Sequence, residues 1–247
     1  MRWAVTVLAA GKGTRMKSDL PKVLHRLAGR TLIDHVLDTA LAVAPPEHVV
    51  VVIGHGAEAV RAEVAGRGVF CVVQEPQLGT ADAVRVALGG IRPGSTDGLV
   101  VLSGDVPLLR PTTVARLQER LEPGAAAALL TAVLPEPGAY GRVLRGADGS
   151  VRAIVEASDA TVDELQVHEV NAGIYAFRVP ELTAALAEVA ADNSQAEYYL
   201  TDVIAALRRR GLGVTAEILD EGSEMLGVNT GRDLERLEVL VRRRQRA

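Results

Sequence analysis

What most constrains this chain is a regular alternation, through its first hundred residues or so, of short apolar runs and stretches with helical spacing. Nearly continuous apolar runs occupy 4–8, 49–53, 69–73 and 99–102, the pattern of strands covered on both faces rather than one. Between the first two, residues 31–44 place Leu32, Ile33, Val36, Leu37, Ala40 and Leu41 on one helical stripe, with Thr31 as N-cap and Pro45-Pro46 as the stop. Shorter helices are predicted at 57–64 and 81–88, the second capped by Thr80. Strand–helix alternation of this kind predicts a parallel sheet with right-handed crossovers and helices on both faces. Ligands of such sheets bind beyond the carboxyl ends of the strands, which is where Gly11, Gln74 and Asp105 fall.

The pattern then changes. Strands are expected at 125–133, 151–156 and 169–177 with shorter connections, so that the sheet becomes mixed. Helices follow at 180–191 and 198–210, a late strand at 214–218, a short apolar return at 226–229 and a last helix at 230–244. No internal repeat, low-complexity linker or convincing domain boundary interrupts the chain.

Length and charge narrow the function. A chain of 247 residues suits one large α/β domain or two small ones. A net charge of −4 argues against a nucleic-acid binder, and 3% aromatics argue against base stacking on single strands. The single cysteine, Cys71, sits in an apolar run and reads as a small buried hydrophobe, favouring a reducing compartment. Neither a signal-peptide pattern nor an apolar run of membrane-spanning length is visible, so a cytoplasmic protein away from membranes is expected.

Chemistry concentrates after the first strand, in Leu8-Ala9-Ala10-Gly11-Lys12-Gly13-Thr14-Arg15-Met16 and Pro21-Lys22. Gly11 and Gly13 permit a tight turn whose amides can face a polyphosphate. Arg15 offers a rigid charged fork and Lys22 a compact ammonium, while Pro21 keeps Leu20 out of the helical region. The loop is not a Walker loop, and Met16 replaces the third glycine of a dinucleotide fingerprint. Asp105, after Ser103-Gly104 at a strand end, is either a turn aspartate or a ligand for a hard divalent cation. Asn229 reads as a cap of the last helix or as a neutral oxygen ligand. The amide of Gln74 can donate and accept toward a base edge, with Gly79 allowing close approach and Thr80 offering its N–H. The five histidines show no metal-ligand spacing, and the basic run 242–246 reads as a solvated helix end.

The stretch LAAGKGTRMKSDLPKVLHRLAG resembles the opening signature of the sugar-phosphate nucleotidyltransferases (pyrophosphorylases). It is most similar to the uridyltransferase half of the bacterial bifunctional N-acetylglucosamine-1-phosphate uridyltransferase/glucosamine-1-phosphate acetyltransferases. Tyr140-Gly141-Arg142, Ile154-Val155-Glu156, Glu169 to Gly173 and Glu197 to Asp202 continue the match, which runs from Val5 to about Leu234. The resemblance implies a Rossmann-like, GT-A-like three-layer α/β fold around a central mixed, mostly parallel sheet. The nucleotidyltransferase domain would be 1–229 and a C-terminal helix 230–247. It further implies nucleotide contacts from Leu8, Ala9, Ala10, Gly11, Gly13, Lys22, Gln74, Gly79, Thr80, Ser103 and Gly104. Arg15 and Lys22 would be catalytic, Mg²⁺ would sit on Asp105 and Asn229, and Gly141, Glu156, Asn171, Tyr199 and Thr201 would line a sugar pocket. The expected reaction joins UTP and N-acetylglucosamine 1-phosphate into UDP-N-acetylglucosamine, a cell-wall precursor, and pyrophosphate.

The sequence departs from the family pattern at Ser103 (usually tyrosine), Asp82 (usually histidine), Ser158 before Asp159, and Ala196 (usually glycine). Another hexose 1-phosphate or nucleotide, or a non-catalytic nucleotide-sugar sensor, are the competing expectations. No hexapeptide repeat follows residue 229, so neither a left-handed β-helix with acetyltransferase activity nor the trimer it builds is expected.

Overall fold

The computed structural model describes residues 1–92 and 94–244; Gln245 and Arg246, the end of the basic run, lie outside the described residues. The chain opens with strand β1 (Trp3–Ala9) and a small hairpin of β2 (Arg26–Leu27) and β3 (Arg30–Thr31). Helix α1 (Leu32–Val43) follows, and Thr31 caps it by accepting the Asp34 N–H, as its sequence predicts. Then come β4 (Val49–Ile53), α2 (Ala57–Val64), β5 (Phe70–Val73), α3 (Thr80–Gly90), β6 (Gly98–Ser103) and α4 (Pro111–Glu119). The second half comprises β7 (Ala125–Val133), β8 (Arg142–Arg145), β9 (Val151–Val155), the short α5 (Val162–Leu165) and β10 (Glu169–Arg178). Helices α6 (Val179–Leu186) and α7 (Asp202–Arg209), strand β11 (Gly213–Ile218) and helix α8 (Gly231–Arg244) complete it.

The main sheet runs β11-β7-β10-β6-β1-β4-β5, with β8 and β9 attached beside β10. Its pairings are parallel except where β10 meets β6, β7 and β8 and where β8 meets β9, so the mixed, mostly parallel α/β sheet expected from the sequence is the one observed. Both faces are buried along the central strands, but the edge strand β5 is not doubly covered as expected: Phe70 and Val73 are exposed and Cys71 is only partly buried. Val5 and Val7 of β1 pack into one core with α1 and α4, while Ala4 packs into the other with α3, α6 and α7. Because β10 runs backwards, its first residues arrive at the carboxyl edge of the parallel strands. Register places Leu8 beside Ser103, and a bulge in β10 between Asn171 and Tyr175 brings the Gly173 carbonyl 3.4 Å from the Ser103 hydroxyl.

Several local expectations are corrected. The helix predicted at 198–210 begins only at Asp202. Tyr198 is instead held against the α3 entry, its N–H donating to the Leu78 carbonyl and its carbonyl accepting from the Ala81 N–H, both at 2.8 Å. The helix predicted to 191 stops at Leu186. Thr80 does not cap α3; its hydroxyl accepts the Leu200 N–H at 2.9 Å, so a tertiary bond has displaced the local one. Helix α4 and strand β8 form where the sequence predicts no element, the latter being only 4 residues long.

Candidate active site

The loop after β1 folds over the sheet edge because its glycines allow it. Gly13 adopts φ +59°, and a Cβ there would lie 2.7 Å from the Lys22 Cβ. Lys22 can therefore pass directly behind the loop and enter the cleft from below. A cavity of about 530 Å³ opens beside it, lined by Leu8 to Thr14, Lys22, Gln74, Gly79, Thr80, Ser103 and Asp105. These include all the expected nucleotide contacts except Gly104. That residue lies just behind the wall, donating its N–H to the Leu8 carbonyl at 2.9 Å and leaving no room for a side chain.

A second, smaller cleft of about 210 Å³ is lined by Tyr140, Gly141, Glu156, Asn171, Gly173, Gly227 and Asn229, and shares Ser103 and Asp105 with the first. Of the expected sugar residues, Gly141, Glu156 and Asn171 face it. Tyr199 and Thr201 do not line it: Thr201 stands behind, donating its hydroxyl to Glu156 at 3.2 Å, and Tyr199 is buried. Asn171 is fixed at both ends of its amide, accepting from the Gly173 N–H at 3.0 Å and donating to the Tyr175 hydroxyl at 2.6 Å. Burial pushes the Glu156 carboxyl above its ordinary value, partly offset by the Thr201 hydrogen bond. Burial likewise raises the Tyr140 phenol, helped by the nearby Asp105 charge.

Where the two clefts meet, Lys22 Nζ lies 2.5 Å from Asp105 Oδ2 and 3.4 Å from Asn229 Oδ1. Both side chains of the Lys22–Asp105 pair are largely buried. Tertiary bonds bring Asn229 there: the Val228 N–H donates to the Asp105 carbonyl at 2.9 Å, and the Asn229 N–H donates to Asp233 Oδ2 at 3.0 Å. Asn229 does not cap α8; Thr230 does, accepting the Asp233 N–H while Asp233 returns the bond. One anionic and one neutral oxygen thus converge on the Lys22 ammonium, and the Asn229 oxygen also accepts from Arg15. A hard divalent ion takes the same donors, completing its shell from substrate phosphates and water, so the residues fit such an ion. Among the described residues no cluster of three or more histidine, cysteine, aspartate or glutamate side chains offers a rival metal site.

Arg15 reaches the Lys22–Asp105–Asn229 cluster from outside the loop cavity. It points away from the loop cavity, donating to Asn229 Oδ1 at 2.9 Å, and borders a third cavity beside α8. Lys12, Gln77 and Glu197 also line the nucleotide-side cavity, beyond the residues expected there. Lys12 lies within the glycine loop and Glu197 within the Glu197–Asp202 match, whereas nothing local marks Gln77. In the sequence Arg142 stands out only as part of Tyr140-Gly141-Arg142. Its buried guanidinium donates to the carbonyls of Tyr140 and Gly138, tying down the segment that carries Tyr140 into the cleft.

Among the described residues no helix is long and apolar enough to cross a membrane. A MobA-like NTP transferase domain model matches residues 5–165. The bifunctional protein GlmU of Mycobacterium ulcerans is 46% identical over 249 residues, covering 98% of this chain and 50% of that protein. The protein of the same name from Burkholderia pseudomallei is 48% identical, covering 95% and 51%. The chain therefore spans about half the length of these curated relatives. Among solved structures, CMP:2-keto-3-deoxy-manno-octonic acid synthetase complexed with CTP superposes with a TM-score of 0.73 at 21% identity, covering 99% of this chain and 100% of that one. A Bacillus anthracis protein described as a glucose-1-phosphate thymidylyltransferase, solved with sucrose, gives 0.74 at 18%, covering 97% and 95%. At these identities the likeness is one of fold.

Proposed function

The chain belongs to the MobA-like NTP transferase domain family, and from that premise we propose that it transfers a uridylyl group from UTP to N-acetylglucosamine 1-phosphate, releasing pyrophosphate. The observation that carries the reading is the Lys22–Asp105–Asn229 cluster at the junction of two clefts, one bordered by a glycine loop and one by polar groups. A nucleotide in the first and a sugar phosphate in the second would bring their phosphates together at that cluster.

The sugar phosphate already carries a nucleophilic oxygen, so no strong base is required, and catalysis rests on positioning and charge neutralisation. The amides around Gly11 and Gly13, with Lys12, would hold the triphosphate. Lys22 would leave Asp105 and offset the charge between the two phosphates. Asp105 and Asn229 would hold Mg²⁺, which neutralises phosphate charge when bound. Gln74, Gly79 and Thr80 would face the uracil, and Gly141, Glu156 and Asn171 the sugar, with Thr201 supporting Glu156. Arg15 would steady Asn229 and meet the departing pyrophosphate from the side. A cytoplasmic setting, with the product supplying cell-wall synthesis, completes the proposal.

The test is pyrophosphate release from UTP with N-acetylglucosamine 1-phosphate, glucose 1-phosphate and glucosamine 1-phosphate in parallel. Fast release with the N-acetylated sugar alone is expected. Release with another sugar moves the substrate, and nucleotide binding without release from any sugar replaces the enzyme with a sensor.

A further inference from the structure

Asp82 stands in the first turn of α3, where the positive end of the helix favours a carboxylate. Its Oδ2 accepts a hydrogen bond from Gln74 Nε2 at 2.8 Å, and the same nitrogen donates to the Gly79 carbonyl at 2.9 Å. Gln74 borders the nucleotide-side cavity yet is only 3% exposed, so its amide has few partners to choose from. Both of its partners are oxygen acceptors, a carboxylate oxygen and a backbone carbonyl. Together they decide which end of the amide is nitrogen, and they use both of its N–H groups. What remains for a ligand is Oε1, an acceptor only.

We propose that Asp82 is a positioning residue for base selection, locking the Gln74 amide so that the cleft takes a pyrimidine with a ring N–H donor at N3 and rejects one with an acceptor there. Uracil carries N3–H; cytosine presents a bare N3 lone pair. Facing Gln74 Oε1, cytosine would leave two acceptors opposed and both unpaired, a buried mismatch that a single site can use for discrimination. Helix α3 and the β5 terminus thereby act as one reader, since the carboxylate comes from the first and the amide from the second. A residue at position 82 able both to donate and to accept would free the amide to turn over and blur the choice. The inference rests on the reading of this cavity as the UTP site.

The experiment is calorimetric binding of UTP and of CTP, with Mg²⁺, to the wild-type protein and to Asp82→Asn, Asp82→Ala and Asp82→Glu, with pyrophosphate release measured separately. The wild type is expected to bind UTP more tightly than CTP. Asp82→Asn and Asp82→Ala should narrow that ratio about tenfold, the weight of one hydrogen bond to a charged group, whereas Asp82→Glu keeps the acceptor and the preference. The ratio reports base orientation, which a loss of general stability does not move, and either of the first two variants suffices if the other fails to fold. An unchanged ratio, a wild type that prefers CTP, or one that binds neither overturns the inference. Pyrophosphate release with a ratio indifferent to residue 82 overturns it alone; a ratio set by residue 82 without any release overturns the uridylyl-transfer reading and leaves the inference standing.

Discussion

Lys22 Nζ lies 2.5 Å from Asp105 Oδ2, although 83 residues separate them in the chain. The pair sits at the boundary shared by the two clefts, so each side chain is neutralised by the other until phosphates enter. Lys22→Ala and Asp105→Ala are each expected to lower turnover at least about 100-fold, as for loss of a placed electrostatic group. Steady-state pyrophosphate release checks this, and near-normal rates in either variant sink the mechanism.

Metal dependence follows from the same cluster. Chelation by EDTA should abolish turnover and Mg²⁺ should restore it. Asn229→Ala should raise the Mg²⁺ concentration for half-maximal rate about tenfold or more, in the range seen when a ligand or its support is removed. A titration curve identical to wild type would remove Asn229 from the ion.

Asp233 acts one step further out. It closes the capping box of α8 on Thr230 and accepts the Asn229 N–H at 3.0 Å. Asp233→Ala should cost about 1 kcal/mol of stability, the usual weight of a helix cap, and should also weaken the Mg²⁺ response. Urea denaturation reads the first effect and the metal titration the second; stability loss with an unaltered titration would confine Asp233 to the helix.

Gly79 has φ +113°, and a Cβ added there would lie 2.6 Å from the Tyr198 carbonyl oxygen. Strain of this sort costs about 1–3 kcal/mol before the clash is counted. Gly79→Ala should lower the denaturation midpoint and UTP affinity together, because the Gly79 carbonyl also holds Gln74. An unchanged midpoint would show that the Tyr198 segment yields freely.

Burial raises the Glu156 carboxyl above its ordinary 4.5, so the folded protein favours its protonated form more than the unfolded chain does. The stabilisation this gives is fully present below the unfolded value and is lost as pH rises through the raised folded value. Glu156→Gln should therefore raise the melting temperature at neutral pH, with the gain shrinking as pH falls toward 4.5. A gain independent of pH across that window would mean that the ionised carboxylate carries no burial penalty.

The sequence by itself determined the sheet, because strands buried on both faces must be apolar throughout and their helices must show a 3.6-residue period. Val49–Ile53 and Leu32–Val43 carry those signals without help from the rest of the chain. It also marked the loop of Gly11 and Gly13 and the strand-end Asp105, since tight turns and carboxyl-edge acids have local signatures. Tertiary structure alone decided what long-range hydrogen bonds control. Tyr198 stays outside the helix its neighbours favour, Thr80 gives its hydroxyl to Leu200, and Arg15 turns to Asn229. The backward run of β10, which brings Asn171 to the edge where Ser103 ends, has no local sign, because strand direction is fixed by packing and not by composition. Asp82 is the sharpest case: at the sequence level it is a departure from a pattern, and only its 2.8 Å contact gives it an amide to orient.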